Sequence, residues 1–365
     1  MPQRTRLLAG LCLPVILLVA CSSQPSSDAK PVPGPAAAPA PPAVPPPYYV
    51  YVTNEGSGDL SVIDPIARAV ATTIPLGKRP RGVKANADGT QLFAALSGSP
   101  VAGPGVDESK LPPADKAADG IGIVDTVGRK LLKVVNGGSD PEQLAVTADG
   151  ARAYIANEDA GSASVLELAS GKIVASVPVG SEPEGVTMRP DGREVYVTSE
   201  GDGRVTAIDT TTNRVVARIE VPPRPRGIAF APDGSRAYIT SENGGTVTVV
   251  DTKTHKVTAT IKPTGESVRP MGIVVSPDGK RVFVTTGRGG TVIAIDAANN
   301  TVVGTVKVGD RPWGIALSPD GKMLYTANGP SNDVSVVDTD TLTVIGKIKA
   351  GERPWGIAIA PAPGR

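Results

Sequence analysis

The sequence predicts an all-β fold, a seven-bladed β-propeller of four-stranded antiparallel blades. The first observation is a Pro-x-Gly step whose prolines recur at intervals of 42 or 45 residues, with one longer interval of 61. The second is that an Asp-Gly turn, and an acidic residue at the end of a later strand, recur with the same period. A period of about 42 residues is typical of propeller blades. The prolines stand at 80, 141, 183, 225, 270, 312 and 354, the turn glycines at 89, 150, 192, 234, 279 and 321, and the acids at 64, 125, 167, 209, 251, 296 and 338.

Four short runs within one repeat are predicted to be the strands of a blade. They are rich in Val, Ile, Thr and Tyr and are bounded by Gly, Asn, Asp and Pro, as expected of strands. In the repeat that follows Pro225 they are strand A (227–232), strand B (236–241), strand C (246–251) and strand D (256–261). Because both faces of a blade pack on neighbours, large aromatic side chains are expected to be crowded out, in keeping with an aromatic content of 3 %.

The number of blades follows from the two ends of the repeated region. Six complete units begin near residues 81, 142, 184, 226, 271 and 313. Residues 48–74 supply only B, C and D strands, and residues 355–360 supply only an A strand. Joining these two fragments makes a seventh blade and closes the ring of residues 48–365, which leaves no open edge strand.

The longest interval contains an insertion at residues 97–119, between strands B and C of one blade. It is rich in Pro, Gly, Ala and Asp, which predicts a surface loop. Long insertions cost little stability. A lid over a site and an excursion without a function are therefore both open interpretations.

The N-terminal segment is predicted to direct export and lipid attachment. Arg4 and Arg6 precede an apolar run that ends just before Cys21, a pattern that resembles the signal of bacterial lipoproteins. We expect a signal peptide over 1–20, a lipid on Cys21 and a Pro/Ala-rich tether over 21–47; an ordinary secretory signal is the alternative. The chain would then lie on the extracytoplasmic side of a bacterial cell envelope, at the outer-membrane periplasmic face or the outer face of the cytoplasmic membrane.

Composition excludes several classes of function. His255 is the only histidine, which excludes paired-histidine sites and almost closes off a Ser–His–Asp triad. Its place in a C-to-D turn, on the face opposite the Pro-x-Gly steps, predicts a solvated side chain. Cys12 would be lost with the signal peptide, so no free cysteine is expected in the mature chain. A net charge of +1 gives no electrostatic case for nucleic acid. We expect a monomer that needs no cofactor.

The repeat resembles a known family. Tyr51-Val52-Thr53-Asn54 and units such as RPRGIAFAPDGSRAYITSENGGTVTVVD are similar to the YVTN family of propellers. PEQLAVTADGARAYIANED and YTANGPSNDVSVVD are most similar to the β-propeller proteins associated with PQQ-dependent catabolism. The resemblance implies an exported seven-bladed propeller, accessory to quinoprotein-type oxidation. PQQ itself is not an expected ligand, because the quinoproteins that carry it resemble eight-bladed propellers.

One face of the ring is predicted to collect the residues of a binding site. In an antiparallel blade the D-to-A and B-to-C connections emerge on the same face, which therefore carries the Pro-x-Gly steps and the ends of strand B. Arginines recur before the proline: Arg79, Arg224, Arg269, Arg311 and Arg353. Glutamates recur after strand B: Glu55, Glu158, Glu200 and Glu242. The x residues beside the channel are Arg81, Glu142, Glu184, Arg226, Met271, Trp313 and Trp355, and only the step at Pro141 lacks its glycine.

Two interpretations of this face are open. The repeated Arg and Glu could form salt bridges between blades, each worth about 0–1 kcal/mol at a surface. The x residues change from blade to blade, as an asymmetric ligand would require, so they are the stronger candidates for binding. A polar or anionic ligand with an aromatic or sugar-like part would suit the mixed charges and the two tryptophans. Alternatively, a tryptophan closes the opening of the central channel on this face, which we call the channel mouth.

Two functions from different classes follow. The first is a membrane-tethered module that binds a small ligand or an exported protein partner through this face without catalysis. The second is a lactonase-type hydrolase in which Glu184 acts with Asn54, Asn157 or Asn328 at the channel mouth. A divalent metal is expected only in the second case. Replacing Arg81 or Trp313 with alanine is expected to abolish ligand binding and leave the fold intact.

Overall fold

The computed structural model describes residues 46–101, 107 and 110–363. The predicted signal peptide (1–20), the lipid-bearing Cys21 and nearly all of the predicted tether lie outside these described residues. Among the residues that are described, no helix is long and apolar enough to cross a membrane.

The described chain forms seven antiparallel sheets of four strands each, which confirms the predicted fold class. We number the sheets as blades 1 to 7, with strand A first in each. Blade 1 consists of β4 (Pro80–Ala85), β5 (Gln91–Leu96), β6 (Gly120–Asp125) and β7 (Lys130–Val135). Blade 2 consists of β8 (Pro141–Val146), β9 (Arg152–Asn157), β10 (Ser162–Glu167) and β11 (Lys172–Pro178). Blade 3 consists of β12 (Pro183–Met188), β13 (Glu194–Ser199), β14 (Arg204–Asp209) and β15 (Arg214–Glu220).

The remaining blades repeat this pattern. The strands of blades 4 to 7 are β16 (Pro225–Phe230), β17 (Arg236–Ser241), β18 (Thr246–Asp251) and β19 (Lys256–Ile261); β20 (Ile273–Val275), β21 (Arg281–Thr285), β22 (Thr291–Asp296) and β23 (Thr301–Lys307); β24 (Pro312–Leu317), β25 (Met323–Asn328), β26 (Asp333–Asp338) and β27 (Thr343–Lys349); β28 (Pro354–Pro361), β1 (Tyr48–Asn54), β2 (Asp59–Asp64) and β3 (Ala69–Pro75). Two 3-10 turns, Lys116–Ala118 and Gly287–Gly289, lie in B-to-C connections.

Blade 4 shows how closely the local pattern determines the strands. Strands B, C and D begin and end at the predicted residues, whereas strand A begins and ends two residues earlier than predicted. Pro225 already pairs with Ser241, ahead of a bulge in the ladder. At the other end, the N–H of Ala231 donates to the carbonyl of Arg236 and the N–H of Gly234 to the carbonyl of Ala231, so the turn has begun by residue 231.

The ring closes through blade 7, as the incomplete repeats at the two ends predict. Strand β28 from the C-terminal end pairs with β1 from the start of the propeller, with Tyr49 opposite Ala360 and Val52 opposite Ile357. The hydroxyls of Tyr48 and Tyr325 lie 2.9 Å apart and join blade 7 to blade 6. Closure is therefore made by a ladder of hydrogen bonds and a buried contact between blades.

The core lies between the blades, and the expectation that aromatic side chains are crowded out of it is wrong. One position of strand B carries a buried aromatic ring in every blade: Tyr51, Phe93, Tyr154, Tyr196, Tyr238, Phe283 and Tyr325. These rings pack with small and β-branched residues of the neighbouring blade, as Tyr154 does with Val186 and Val197. A second ring packs against this position at two interfaces, where Tyr48 meets Tyr325 and Phe230 meets Tyr196. The low aromatic content therefore reflects one or two rings at each interface among small and β-branched residues.

Candidate functional site at the channel mouth

The Pro-x-Gly step packs each blade against the next one around the channel. A Cβ on Gly227 would lie 2.6 Å from the carbonyl oxygen of Met271, the x residue of the following blade, and a Cβ on Gly82 would lie 2.7 Å from that of Glu142. Real Cβ atoms do not approach an oxygen this closely, so glycine is required for close approach of two backbones. The step is thus a structural joint that holds the x side chains in a ring.

A threonine in strand B completes this joint in four blades, a feature that the sequence interpretation missed. The hydroxyl of Thr240 accepts the N–H of Gly227 in its own blade at 2.8 Å and donates to the carbonyl of Met271 in the next at 2.6 Å. Equivalent bonds are made by Thr53, Thr198 and Thr285. The sequence signal was present, since these threonines stand at one position of the repeat.

The backbone before the proline is strained at six of the seven steps. The residue there has a positive φ, between 40° and 60°, although it is not glycine: Arg79, Asp140, Glu182, Arg224, Arg311 and Arg353. Such left-handed backbone costs a side chain of order 1 kcal/mol or more. With this backbone conformation the side chains lie at the mouth, where three of the arginines contact the glutamates that follow strand B.

The two tryptophans form the aromatic part of the mouth. The rings of Trp313 and Trp355 are stacked with centroids 5.9 Å apart and planes inclined by 28°. Three guanidinium groups lie over them: that of Arg81 is 4.6 Å from the Trp355 centroid, and those of Arg311 and Arg226 are 5.0 and 5.5 Å from Trp313. A stacked indole pair flanked by cations is an arrangement that holds rings and anions.

Arg81 forms one buried charge cluster. Its Nη2 lies 2.5 Å from Glu142 Oε2 and 3.7 Å from Glu184 Oε1, and none of the three side chains is more than 8 % exposed. Burial, partly offset by Arg81, raises the pKa of Glu142 well above its usual value. Burial likewise raises the pKa of the neighbouring Glu158. Burial thus shifts the pKa values of both carboxyl groups upward on this side of the mouth.

Arg226 forms the second cluster, in which three glutamates share one guanidinium. Its Nη1 lies 3.1 Å from Glu184 Oε2 and also contacts Glu200 Oε1, while Nη2 lies 2.9 Å from Glu242 Oε2. Arg224 adds contacts to Glu200 at 2.9 Å and to Glu242 at 3.2 Å.

These contacts give Glu200 and Glu242 different protonation states. Burial raises the pKa of Glu200 to about 8. Burial also disfavours the ionised form of Glu242, but Arg226 and Arg224 outweigh it and lower the pKa of that group. Two carboxyl groups whose pKa values are driven apart beside one guanidinium can serve as an acid and a base.

Glu55 joins blade 7 to blade 1. It accepts a hydrogen bond from Nε of Arg79 at 2.9 Å and one from Nε of Arg353 at 3.4 Å. Burial opposes its ionisation, but Arg81 and Arg79 lower its pKa overall. Of the repeated arginines, Arg79, Arg224 and Arg353 thus pair with repeated glutamates, as the salt-bridge interpretation predicts.

Arg269 and Arg311 differ from the other repeated arginines. Among the described residues, neither lies within 4 Å of a carboxylate oxygen; Arg269 donates to Asn243 Oδ1 at 2.9 Å, and Arg311 stacks on Trp313. For Arg311 the sequence contains the reason, because Gly287 and Gly329 stand in blades 5 and 6 where blades 2, 3, 4 and 7 carry the glutamate. The mouth therefore has a basic side next to the tryptophans and an acidic side in blades 2 to 4.

Two cavities open among these residues. One of about 270 Å³ is lined by Glu55, Arg311, Arg353 and both tryptophans, together with Gly329, Pro330 and Pro354. The other, of about 110 Å³, lies in the central channel, where Glu184, Arg226, Met271 and the tryptophans meet the inner residues Lys84, Gln143 and Thr187. The tryptophan pair separates them, so a ligand at the mouth would contact it from either side.

One group of acids in the described chain has the spacing of metal ligands. Carboxylate oxygens of Asp140, Glu142 and Glu158 lie within 4.8 Å of one another. Two of the three acids have partners within the protein: Arg81 contacts Glu142, and Asp140 accepts hydrogen bonds from the hydroxyls of Ser97 and Ser99. A cation at this point would compete with Arg81 for Glu142 and with the two serines for Asp140.

Several residues singled out in the sequence have structural roles. Asn54, Asn157 and Asn328 are fully buried, and the side-chain amide of each donates to a serine hydroxyl of strand C, so they join strand B to strand C rather than face either cavity. His255 is half-buried, with Nε2 3.1 Å from Glu194 Oε2, so the expectation of a solvated side chain is wrong. It lies against Tyr196 of the preceding blade.

The described ends of the insertion are held against blade 2. The carboxylate of Asp119 accepts the N–H groups of Gly98 and Asp140, and Lys116 pairs with Asp159. Residues on both flanks line a surface cavity of about 490 Å³ that also includes Glu55 and Arg79. The insertion therefore extends one wall of the mouth.

Comparisons with known proteins agree with this architecture. A family model described as "Lactonase, 7-bladed beta-propeller" matches residues 129–353. The comparison with curated proteins found no significant match.

Solved structures with the same fold include three from different bacteria. Hydrazine synthase of Kuenenia stuttgartiensis is 20 % identical, with a TM-score of 0.69 over 83 % of this chain and 98 % of that one. A functionally unknown protein from Desulfotomaculum acetoxidans is 16 % identical, with a TM-score of 0.70 over 86 % of this chain and 99 % of that one. A putative 6-phosphogluconolactonase from Bacteroides uniformis is 18 % identical, with a TM-score of 0.69 and the same coverage. At these identities the likeness concerns the fold.

Proposed function

Because the chain belongs to the lactonase family of seven-bladed β-propellers, we propose that its channel mouth binds and hydrolyses a lactone that carries an anionic group. The observation that carries the proposal is the pair of glutamates on one guanidinium: Glu184 and Glu200 both contact Nη1 of Arg226. Glu184 lines the channel cavity beside the tryptophans. A base, an acid and a cation are thus brought to one point.

The geometry supports a direct hydrolysis. The carboxylate of Glu184 takes a proton from water, and the resulting hydroxide adds to the lactone carbonyl, whose developing negative charge lies beside Arg226. The ring C–O bond then breaks, and the alkoxide takes its proton from Glu200, which is protonated at neutral pH because burial raises its pKa to about 8. The product is a hydroxy acid, which ionises in solution. Glu184 is then protonated and Glu200 ionised, and a proton passed through water from Glu184 to Glu200 restores the starting state.

The basic side of the mouth favours an anionic substrate. Arg311 has no carboxylate partner among the described residues and lies over Trp313, and Arg353 lines the same cavity. A phosphate or carboxylate substituent would pair with these guanidinium groups, and a sugar-like ring would lie on the indoles. The solved relative described as a putative 6-phosphogluconolactonase makes phosphorylated sugar lactones the first substrates to try.

The location and partners of the protein belong to the same proposal. A lipid on Cys21 and the tether of residues 21–47 would hold the propeller on the extracytoplasmic side of the envelope. An accessory role in quinoprotein-type oxidation, implied by the resemblance to propellers of PQQ-dependent catabolism, is compatible with lactone hydrolysis because oxidation of cyclic sugars produces lactones. Binding of an exported partner without turnover is the competing function.

The test is turnover of the full chain with matched lactones. Proton release is followed with glucono-δ-lactone, its 6-phosphate and a neutral aliphatic lactone. We expect the phosphorylated lactone to be hydrolysed fastest, Glu184→Gln and Glu200→Gln to lower kcat by about 100-fold or more, and Arg311→Gln to raise KM for the phosphorylated lactone alone. Glu352→Gln, an exposed glutamate beside the mouth, serves as the control. Binding of these lactones without turnover would contradict hydrolysis and favour the binding module.

A further inference from the structure

Lys84 stands alone as a charged residue at its level of the channel. It follows the x residue Arg81 by three positions in strand A of blade 1, about 10 Å further along the strand. The equivalent residues of the other blades are uncharged: Ala145, Thr187, Ala229, Val274, Ala316 and Ala358. At this level of the channel Lys84 is therefore the one charged side chain among small or uncharged residues.

The ammonium of Lys84 has no counter-ion within the described chain. No carboxylate of the described residues forms an ion pair with it, whereas Arg81 and Arg226, which reach the same channel, are each held by two or more glutamates. Burial alone lowers the pKa of Lys84. A partly buried ammonium group without a counter-ion is costly, and an anion that enters the channel would relieve this cost.

A second polar group lines the same cavity. Gln143 stands where six of the seven steps carry glycine, and its side-chain oxygen lies 2.7 Å from the point where a Cβ of Gly82 would be. Gln143 and Lys84 both line the channel cavity of about 110 Å³. The hydroxyl of Thr187 donates to the carbonyl of Ile228 at 2.9 Å, so it is not a free donor. The amide N–H groups of Gln143 and the ammonium of Lys84 are then the donors available to an anion.

Other charged groups that face this cavity do not compete for Lys84. Glu184 is engaged by Arg81 at 3.7 Å and Arg226 at 3.1 Å, and Arg226 by its own glutamates. We propose that the central channel binds a small monoanion, of halide, nitrate or formate size, between the ammonium of Lys84 and the side-chain amide of Gln143. The anion would lie in the same cavity that Glu184 and Arg226 line, and its binding can be measured whether or not the protein hydrolyses lactones.

The experiment measures anion binding to the full chain. Thermal unfolding is followed at constant ionic strength as bromide, nitrate or formate replaces sulfate. Because sulfate itself strengthens apolar burial, the effect of a bound monoanion is measured as a rise in Tm above the linear trend that the salt exchange alone produces. We expect this rise to reach a plateau with each monoanion, as a ligand of the folded state requires, and Lys84→Met to lose it. Lys172→Met, an exposed lysine of strand D, is the matched control and keeps it. Lys84→Met also removes an unpaired charge, so it is expected to fold at least as stably as the parent in sulfate.

Further measurements separate this site from anion binding elsewhere. Arg311→Gln, which alters the mouth, should leave the monoanion-dependent rise unchanged, and anomalous scattering from bromide-soaked crystals should place an ion next to Lys84. An equal rise in Lys84→Met, or bromide only at the mouth, would overturn the proposal. A rise with a carboxylate-bearing lactone product but none with formate or bromide would mean that the channel takes the end of a larger ligand instead of a free ion. Failure of lactone turnover leaves these outcomes unaffected.

Discussion

The guanidinium of Arg81 and the carboxyl of Glu142 meet at 2.5 Å across the boundary of blades 1 and 2, with side chains 5 % and 0 % exposed. Both are x residues of the channel ring, yet this contact makes them part of the joint between two blades as well. Removing either side chain is therefore expected to lower the free energy of unfolding as well as to affect ligand binding, because a buried charge that loses its partner keeps its desolvation cost.

Arg81→Ala is therefore expected to destabilise the protein by about 3–5 kcal/mol, the usual cost of breaking a buried pair. This replaces the sequence-based expectation that the substitution leaves the fold intact. The double variant Arg81→Met with Glu142→Leu should recover most of the loss, because neither charge remains. Denaturant unfolding of the parent, the two single variants and the double variant measures the coupling. Equal stability of Arg81→Ala and the parent would show that Glu142 is not held by this pair.

Gly227→Ala tests the close approach of neighbouring blades. The new Cβ would lie 2.6 Å from the Met271 carbonyl oxygen, so two strands must move apart, at a cost of about 3 kcal/mol. Gly192→Ala is the comparison, because its φ is +71° but no atom lies within 4 Å of the added Cβ. It should cost only about 1 kcal/mol from backbone strain. The ranking fails if the two variants unfold at the same denaturant concentration.

Deletion of residues 356–365 tests the closure of the ring. It removes most of β28 and its ladder with β1, including the pairs Tyr49–Ala360 and Val52–Ile357. We expect the Tm to fall by about 10 °C or more, since each kcal/mol corresponds to a few degrees in a chain of this size. Removing only the last two residues leaves β28 whole and should change little. Unaltered melting of the longer deletion would mean that β28 contributes nothing to the ring.

The stability of the protein should fall as the pH rises through the neutral range. Burial raises the pKa of Glu200 to about 8, against an ordinary value of 4.5. Between these values the folded state holds a proton that the unfolded state has released, so the free energy of unfolding decreases with increasing pH. Glu142, whose pKa is also raised by burial, acts in the same direction.

Glu200→Gln carries a neutral side chain at every pH and should reduce this slope. Glu55 and Glu242 have lowered pKa values, so the stability they contribute is present above pH 4.5 and is lost only in more acidic solution. Melting curves between pH 5 and pH 9 separate the two effects. The same slope in Glu200→Gln and the parent would assign the raised pKa to another group.

Much of the site could be anticipated because it is periodic. The x residues, the repeated arginines and the glutamates after strand B lie on the face that the strand order predicts. The pairing of Arg79 and Arg353 with Glu55 follows from the same repeat. Deviations from the repeat were informative as well. Gly287 and Gly329 in place of glutamate leave Arg311 without a carboxylate partner among the described residues, and Gln143 in place of glycine marks the channel beside Lys84.

The sequence by itself determined the number of blades, the closure of the ring by its two ends and the face on which the charged residues gather. It could do so because hydrophobic alternation and turn residues act locally and recur every 42 residues or so. Only the tertiary structure decided which charges are neutralised, which glutamate has a pKa raised to about 8, and that Asn54, Asn157 and Asn328 bind strand C. It also showed that Lys84 forms no ion pair with any residue in the described part of the chain. Those properties depend on distances and burial between residues of different blades, which chain spacing does not specify.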